Sequence, residues 1–284
     1  MKEVKVGIIG FGTVGAGVAA NLLENGDVIA KRTGVKLTLA KIADLDITTD
    51  RGVKVPEGIL TTNADELIDQ VDVVVELVGG TTIAKKFILK ALNAGKPVVT
   101  ANKALLAKYG PEIYSAAEAK GVDIYFEAAV GGAIPFLRPL RESLVGDKVT
   151  SMLGIVNGTT NYILSRMDAE GADYADVLAD AQAKGYAEAD PSADVDGFDA
   201  ASKTAILASI GFGTRVTTDD VYQQGIRTIG AEDIAQAREL GYTIKLLGIA
   251  RNTDAGVDVR VHPTLIPVDH MLAKVNGAMN AVYV

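Results

Sequence analysis

The feature that most constrains the fold of this chain is a glycine-rich turn close to its first residue. Residues 4–9 (VKVGII) have strand composition, and residues 10–15 (GFGTVG) follow directly and open a helix-like segment. In this context, G-x-G-x-x-G leaves backbone N–H groups and the positive helix end free to face a pyrophosphate. The pattern predicts dinucleotide binding rather than only a tight turn, and the residues assigned to it are Gly10, Phe11, Gly12, Thr13, Val14 and Gly15.

Strand-like and helix-like segments alternate along the first half of the chain. Further strand-like runs lie at residues 37–43, 71–78, 97–100 and 123–127, and helical spacing occurs at residues 64–69, 83–93 and 111–120. This alternation predicts an α/β fold with a Rossmann-like, doubly wound parallel sheet, which we assign to a dinucleotide-binding domain of residues 1–135. Mixed helices and strands follow, and they predict a second α+β domain for substrate binding and dimerisation over residues 136–284.

Composition excludes several kinds of chemistry. The chain has no cysteine and two histidines, so disulfides, thiolate zinc sites, cysteine nucleophiles and three-histidine metal sites are excluded. With 28 Lys+Arg against 36 Asp+Glu, the net charge of −8 has the wrong sign for binding phosphates along a nucleic acid. We therefore expect no nucleic-acid partner, and the lack of cysteine favours a cytoplasmic protein.

An uncharged stretch of 18 residues, from Val6 to Leu23, resembles a signal peptide or a membrane span. Five of its residues are glycine, however, and no small-residue cleavage site follows before Glu24. We therefore expect neither export nor membrane association.

Ligands of doubly wound sheets bind beyond the carboxyl ends of the strands. In this chain those ends carry Asp44, Glu76, Lys103 and Glu127. Asp44 is predicted to bind the ribose hydroxyls of the cofactor, which favours NAD. The nearby cations Lys41 and Arg51 leave NADP open as the cofactor. The alternative role for Asp44 is to cap a helix. Lys103 can meet a cofactor or substrate oxygen, and its alternative is a solvated lysine in the first turn of a helix.

Asp199 and Lys203 are four residues apart and share one face of a predicted helix. If exposed to solvent, such an ion pair stabilises the fold by only about 0.3–0.5 kcal/mol. The rest of this helix, residues 198–207, is almost entirely apolar, which predicts that it is buried. Burial lowers the pKa of a lysine from its reference value near 10.4, so we expect Lys203 to exchange protons near neutral pH.

Several sequence blocks, in order, cover nearly the whole chain. They are residues 10–15 (GFGTVG), 74–80 (VVELVGG), 99–104 (VTANKA), 126–135 (FEAAVGGAIP), 154–162 (GIVNGTTNY), 185–194 (GYAEADPSAD) with 197–203 (GFDAASK), and 261–267 (VHPTLIP). Together they resemble the homoserine dehydrogenases. The region from residue 185 to 203 is the most specific part of the resemblance.

The resemblance implies reversible reduction of L-aspartate 4-semialdehyde to L-homoserine with NAD or NADP, on the route to threonine, methionine and isoleucine, by a homodimer. Lys203 matches the proton donor of the family. Lys103 matches its second active-site lysine, near both nicotinamide and substrate, where it stabilises charge on the substrate oxygen. Glu188 and Asp199 match the residues that hold the substrate's amino group.

The resemblance also implies further ligand contacts. Asn157, Thr159 and Gly185 match the substrate site. Another loop of this chain matches the loop with which the family coordinates a monovalent cation, usually sodium, largely through backbone carbonyls. The matching residues are Glu127, Val130, Gly132 and Ile134.

One departure concerns the end of the sequence. Family chains continue with a glycine-rich segment and a final helix that returns to the cofactor domain, whereas this sequence ends at residues 281–284. We therefore expect that helix to be missing and no amino-acid-binding regulatory domain to follow. Two hypotheses stay open, an active dehydrogenase and a non-catalytic binding fragment of the family. A phosphorylating semialdehyde dehydrogenase is disfavoured because it needs a cysteine nucleophile.

Overall fold

The first unit, Met1–Ala129, is built on a sheet of six parallel strands. The computed structural model describes all 284 residues. The strands are β1 (Lys2–Ile9), β2 (Val35–Ala43), β3 (Leu60–Thr61), β4 (Val73–Glu76), β5 (Val98–Thr100) and β6 (Ile124–Tyr125). Their order is β3-β2-β1-β4-β5-β6, so the winding reverses between β1 and β4. This order confirms the predicted doubly wound sheet and leaves a crevice at the carboxyl ends of those two strands.

Five helices accompany this sheet. They are α1 (Thr13–Glu24), α2 (Gly26–Thr33), α3 (Ala64–Gln70), α4 (Ile83–Asn93) and α5 (Lys103–Lys120). The sequence did not predict α2. It also placed the start of α5 at Pro111, which was wrong because the side chain of Asn102 accepts a hydrogen bond from the Leu105 N–H at 3.1 Å and starts the helix there.

The second unit, Val130–Val284, contains a mixed sheet of five strands. They are β7 (Ser151–Ile155), β8 (Tyr222–Gln223), β9 (Tyr242–Thr253), β10 (Gly256–Pro267) and β11 (Ala281–Tyr283). The order is β11-β7-β9-β10-β8, and only the pair of β10 and β8 is parallel. The predicted α+β character of this region is confirmed.

Five helices belong to the second unit: α6 (Gly158–Glu170), α7 (Tyr174–Ala183), α8 (Ser192–Val195), α9 (Phe198–Phe212) and α10 (Ala231–Glu239). Short helical turns occur at Glu127–Ala129 in the first unit and at Pro139–Ser143, Thr218–Asp220 and Met271–Lys274 in the second. Nine of the 15 residues of α9 are buried, which confirms the predicted burial of this helix. No helix in either unit combines the length and apolarity needed to cross a membrane.

Lys245, in the middle of β9, is only 1% exposed. Its ammonium group donates hydrogen bonds to Asn161 Oδ1 (3.0 Å), Ser165 Oγ (3.1 Å), the Val275 carbonyl (2.7 Å) and Asn276 Oδ1 (3.0 Å). Burial lowers the pKa of this lysine to about 8, against a smaller opposing attraction from Asp168. The burial of this lysine was not predicted from the sequence, because its acceptors lie far away along the chain.

We predict that the buried Lys245 makes stability depend on pH in the alkaline range. Between about pH 8 and 10.5 the unfolded chain binds more protons at this residue than the folded chain, so stability rises with pH. Relative to Lys245→Met, the wild-type chain should gain about 2 kcal/mol in the free energy of unfolding from about pH 7 to 9.5. Denaturant titrations of both proteins measure this difference, and a difference that stays constant over the range would contradict the prediction.

Candidate functional site

Two glycines of the G-x-G-x-x-G turn are required by the backbone around them. Gly10 has a φ of +100°, and a Cβ there would lie 2.6 Å from the carbonyl carbon of Leu77. A Cβ on Gly15 would overlap the carbonyl oxygen of Gly10. Gly12 differs, because a Cβ there would meet no atom within 4 Å. The turn is thus tightly packed on the protein side and open at Gly12.

Helix α1 begins at this opening without a partner for its first N–H groups. Its N-cap, Gly12, has no side chain, no acidic residue lies in its first turn, and the Ala16 N–H bonds back to the Gly12 carbonyl. In contrast, α3 is capped by the side chain of Asn63 and has two acidic residues in its first turn. The free N–H groups and the dipole of α1 therefore suit a negatively charged ligand group such as a pyrophosphate.

Asp44 lies beside the glycine turn, at the end of β2. Its Oδ2 accepts a hydrogen bond from the Phe11 N–H at 2.5 Å, and its Oδ1 accepts one from the Asp46 N–H at 2.9 Å. No helix follows Asp44, so the helix-cap alternative was wrong. Arg51 donates to Asp46 at 3.1 Å, and Lys41 donates to the Gly58 carbonyl at 3.2 Å.

A cavity of about 310 Å³ lies in the first unit near the carboxyl ends of β4 and β5. Its lining residues are Val14, Glu76, Leu77, Gly79, Gly80, Ala101, Asn102, Lys103 and Ala104. Lys103 is the first residue of α5, which agrees with the predicted alternative of a lysine in the first turn of a helix. It is half-buried and lines the cavity, however, so it is not the fully solvated lysine of that alternative. The chain therefore presents a lysine next to the open glycine turn of the same unit.

Glu76 is fully buried at the end of β4. Its carboxylate accepts hydrogen bonds from the Val78 N–H (2.8 Å), the Gly79 N–H (3.4 Å) and the Thr100 hydroxyl (2.8 Å). Burial raises the pKa of Glu76, and these hydrogen bonds oppose the rise. The bonds also turn the chain after Glu76, which is why β4 ends there although the sequence predicted a strand to residue 78.

Asn102 ties the two loops of this cavity together. Its side-chain Nδ2 donates to the Gly80 carbonyl at 2.7 Å, while its Oδ1 caps α5. The sequence placed Asn102 and Lys103 at the end of a strand but did not predict this link.

In the second unit, the predicted pair of Asp199 and Lys203 is formed on α9. Lys203 Nζ lies 2.7 Å from Asp199 Oδ2 and 2.8 Å from the Val156 carbonyl oxygen, and the two side chains are 15% and 6% exposed. The pair is therefore an internal one rather than a solvated surface pair. Two of the three N–H groups of the ammonium are used, which leaves one for a bound ligand.

Asn157 holds Asp199 in place. Its Nδ2 donates to Asp199 Oδ2 at 2.9 Å and to Asp194 Oδ1 at 2.7 Å, while its Oδ1 accepts from the Thr160 N–H and caps α6. The structure therefore brings Asn157, Asp199 and Lys203 together. Asp194 is the member of this cluster to which the sequence had assigned no role, although it lies in the same acidic block.

The loop that carries Glu188 follows α7 and begins with Gly185, whose φ of +76° favours glycine. The Thr159 hydroxyl donates to the Tyr186 carbonyl at 2.7 Å. The amide of Gln182 donates to the Glu188 carbonyl at 2.9 Å and to the Ala189 carbonyl at 3.3 Å. Glu188 itself is exposed and its carboxylate has no partner within the chain. The backbone of this loop is therefore fixed while its carboxylate is available, and Gln182 was missed because nothing in the sequence marks its contact.

The residues assigned to a cation differ in their location. Glu127 lies in the short helical turn that ends the first unit. In the second unit, Gly131 (φ +59°) and Ala133 (φ +69°) alternate with Val130, Gly132 and Ile134, and the Ile134 N–H donates to the Gly131 carbonyl. That internal bond uses none of the carbonyls assigned to the cation. Backbone carbonyls are hard oxygen donors, which is the kind of ligand that a sodium-like ion prefers.

A doubly wound sheet with an uncapped glycine turn defines a dinucleotide-binding protein, here followed by an α+β unit with an internal lysine–carboxylate pair. The family model described as homoserine dehydrogenase matches residues 135–284, and the one described as homoserine dehydrogenase, NAD binding domain, matches residues 10–127. The chain belongs to the homoserine dehydrogenase family.

Individual relatives agree with this assignment. Homoserine dehydrogenase from Corynebacterium glutamicum is 54% identical over 100% of this chain. A crystal structure of a homoserine dehydrogenase from Thiobacillus denitrificans superposes with a TM-score of 0.95 at 47% identity, covering 99% of this chain and 66% of the other. A hyperthermophilic archaeal homoserine dehydrogenase in complex with NADPH gives a TM-score of 0.79 at 27% identity, covering 99% and 87%. The chain spans 65% of the length of the Corynebacterium relative.

We predict that Glu76→Gln changes how stability depends on pH. Because burial raises the pKa of Glu76 above 4.5, the folded wild-type chain holds this proton more tightly than the unfolded chain and loses stability as pH rises above 4.5. The glutamine variant lacks this loss, which amounts to at most about 1.4 kcal/mol per pH unit. Denaturant titrations from about pH 4.5 to 8 measure it, with exposed Glu118→Gln as the control. A wild-type chain that becomes more stable relative to Glu76→Gln as pH rises would contradict the prediction.

Proposed function

We propose that this chain catalyses the reversible reduction of L-aspartate 4-semialdehyde to L-homoserine with NAD or NADP. The observation that carries the proposal is the internal Lys203, whose ammonium is fixed by Asp199 and the Val156 carbonyl with one N–H unused. Membership of the homoserine dehydrogenase family over most of the chain supports it.

The glycine turn is proposed to hold the cofactor. The open space at Gly12 and the uncapped N–H groups of α1 suit the pyrophosphate. The six residues from Gly10 to Gly15 keep their assigned role, and Asp44 is assigned to the ribose because it is hydrogen bonded to this turn. Asp44 favours NAD, while the NADPH complex of the archaeal relative supports NADP, so both cofactors belong to the proposal.

When bound, the nicotinamide supplies the hydride that reduces the aldehyde carbon. The aldehyde oxygen then gains negative charge and needs a proton. Lys203 Nζ donates that proton, and in the reverse direction the neutral amine takes it from the hydroxyl of homoserine. Because two N–H groups of Lys203 are held by protein oxygens, the direction of the third is fixed. We assign Lys103 to stabilising charge on the substrate oxygen.

Carboxylates are proposed to bind the amino group of the substrate. Asp199 is fixed by Asn157, and Glu188 lies on a loop whose backbone is held by Gln182 while its carboxylate is free. Two carboxylates suit an ammonium group through charge-assisted hydrogen bonds. Asn157 and Thr159 then act by orienting this site, and the left-handed conformation of Gly185 starts the loop.

Further parts of the proposal rest on the family. We assign a sodium ion to the loop of Glu127, Val130, Gly132 and Ile134, where largely backbone carbonyls would hold it. We also propose that the chain forms a homodimer that acts in the synthesis of threonine, methionine and isoleucine. A cytoplasmic location is proposed because the chain has no cysteine.

We predict that the purified chain reduces NAD or NADP when mixed with homoserine at alkaline pH, followed at 340 nm. Lys203→Ala should lower kcat by about 10²–10⁴-fold, the usual contribution of a positioned proton-transfer group. Its affinity for the cofactor, measured by calorimetry, should stay nearly unchanged because the glycine turn is intact.

Lys148→Ala, which removes an exposed lysine from the second unit, serves as the control and should keep full activity. Normal turnover by Lys203→Ala would overturn the proton-transfer assignment. Nucleotide binding without any turnover by the folded wild-type chain would instead identify a non-catalytic binding fragment.

We predict that Gly12→Ala separates cofactor binding from folding. Its Cβ would meet no protein atom, so the fold should be kept, but it would occupy the space assigned to the pyrophosphate. Affinity for NAD and NADP should fall at least tenfold in calorimetry. Gly17→Ala, also open but inside α1, is the matched control and should bind normally. Equal affinity of the two variants would exclude this position for the pyrophosphate.

A further inference from the structure

The C-terminal part of the second unit is linked to the first turn of α6 through Lys245. Its ammonium group donates to two side chains of α6, Asn161 and Ser165, and to Val275 and Asn276 on the other side. Three N–H groups are thus shared among four acceptors, none of them a carboxylate. An internal cation with only neutral acceptors is tolerated when those acceptors are held in fixed positions.

Two more contacts tie residues 275–279, which we name the C-terminal clamp, to α6. The Nδ2 of Asn161 donates to the Val275 carbonyl at 3.1 Å and to the Met279 carbonyl at 3.0 Å. The Ala278 carbonyl oxygen lies so close to Gly158 that a Cβ there would be 2.8 Å away. The clamp therefore lies directly against the first turn of α6.

The residue that caps this same turn organises the proposed substrate site. Asn157 caps α6 and donates to Asp194 and Asp199, and Asp199 in turn binds Lys203. A displacement of the first turn of α6 would move Asn157 and release Asp199 from its fixed orientation. Lys245 and Asp199, the carboxylate proposed to bind the substrate, are thus connected through the first turn of α6.

We propose that Lys245 is a positioning residue for substrate binding, which acts by holding the C-terminal clamp against the first turn of α6. This inference rests on the proposed function. Without the ammonium group, the Val275 carbonyl keeps only the donor of Asn161, and the Asn276 side chain loses its bond to β9. The clamp then loosens, and Asn157 no longer holds Asp199 where it meets the amino group of the substrate.

Lys245→Met tests the inference, because methionine keeps a long unbranched side chain and removes every N–H. Well below the unfolding temperature, we expect the KM for homoserine to rise at least fivefold while the KM for NAD or NADP changes less than twofold. We expect amide hydrogen exchange in the C-terminal clamp, residues 275–279, to become at least tenfold faster. A residue that only stabilised the core would lower the Tm and leave both KM values unchanged.

Two control variants separate positioning from other effects. Arg251→Met removes an exposed cation from the same strand, β9, and Val259→Ala removes buried apolar volume from the neighbouring β10. The first tests the loss of charge and the second a general loss of stability. Both should keep the homoserine KM and the exchange rates of the clamp.

Lys245→Gln is a second variant that decides the matter if Lys245→Met does not fold. Its shorter, neutral amide cannot supply the ammonium donors that join Asn161 and Ser165 to Val275 and Asn276. We expect the same rise in the homoserine KM and the same faster exchange in the clamp. Folded variants with a wild-type homoserine KM and wild-type exchange would overturn the inference.

The proposed function can fail separately from this inference. Absence of turnover by the wild-type chain would count against the proposed function alone. Hydrogen exchange of residues 157–160 and 275–279 then decides the inference: faster exchange in both segments of the variants supports it, and unchanged exchange overturns it.

Discussion

Internal positive charge is the constraint on which the second unit depends. Lys203 and Lys245 are both largely removed from solvent. Lys203 is held by Asp199 of its own helix and by the more distant Val156 carbonyl, whereas all four acceptors of Lys245 come from distant parts of the chain. Removing one partner of a buried ion pair such as that of Lys203 and Asp199 costs about 3–5 kcal/mol. The start of α6 takes part in both networks, because its N-cap Asn157 binds Asp199 and its residue Asn161 binds Lys245.

The first unit presents the opposite arrangement. The start of α1 supplies backbone donors without acceptors, and the fully buried carboxylate of Glu76 binds the N–H groups of the neighbouring loop instead. Unpaired donors at an open helix end are suited to a ligand that brings its own negative charge. The first unit thus offers donors to an anionic group, whereas the second offers an internal pair of an ammonium group and a carboxylate.

Local sequence was sufficient for much of the fold and part of the site. The alternation of strands and helices predicted the parallel sheet, and a four-residue spacing on an apolar helix predicted that Asp199 and Lys203 meet in the interior. Helix α2 was not predicted. The start of α5 was predicted at Pro111 because proline favours the first turn of a helix, but Asn102, a favourable N-cap residue, starts the helix earlier. Strand β4 ends at Glu76 because the side chain of this residue accepts hydrogen bonds from the N–H groups of Val78 and Gly79. The strand-like composition of the sequence does not reveal these bonds.

The sequence by itself determined the class of fold, the position of the glycine turn and the pairing of a lysine with a carboxylate, because each depends on residues close together in the chain. Only the tertiary structure decided that Lys245 is internal, that Asn157 joins Asp194 to Asp199, and that Gln182 holds the loop of Glu188. Each of these contacts joins residues brought together by packing, and a polar residue in a sequence carries no mark of which distant oxygen or N–H will satisfy it.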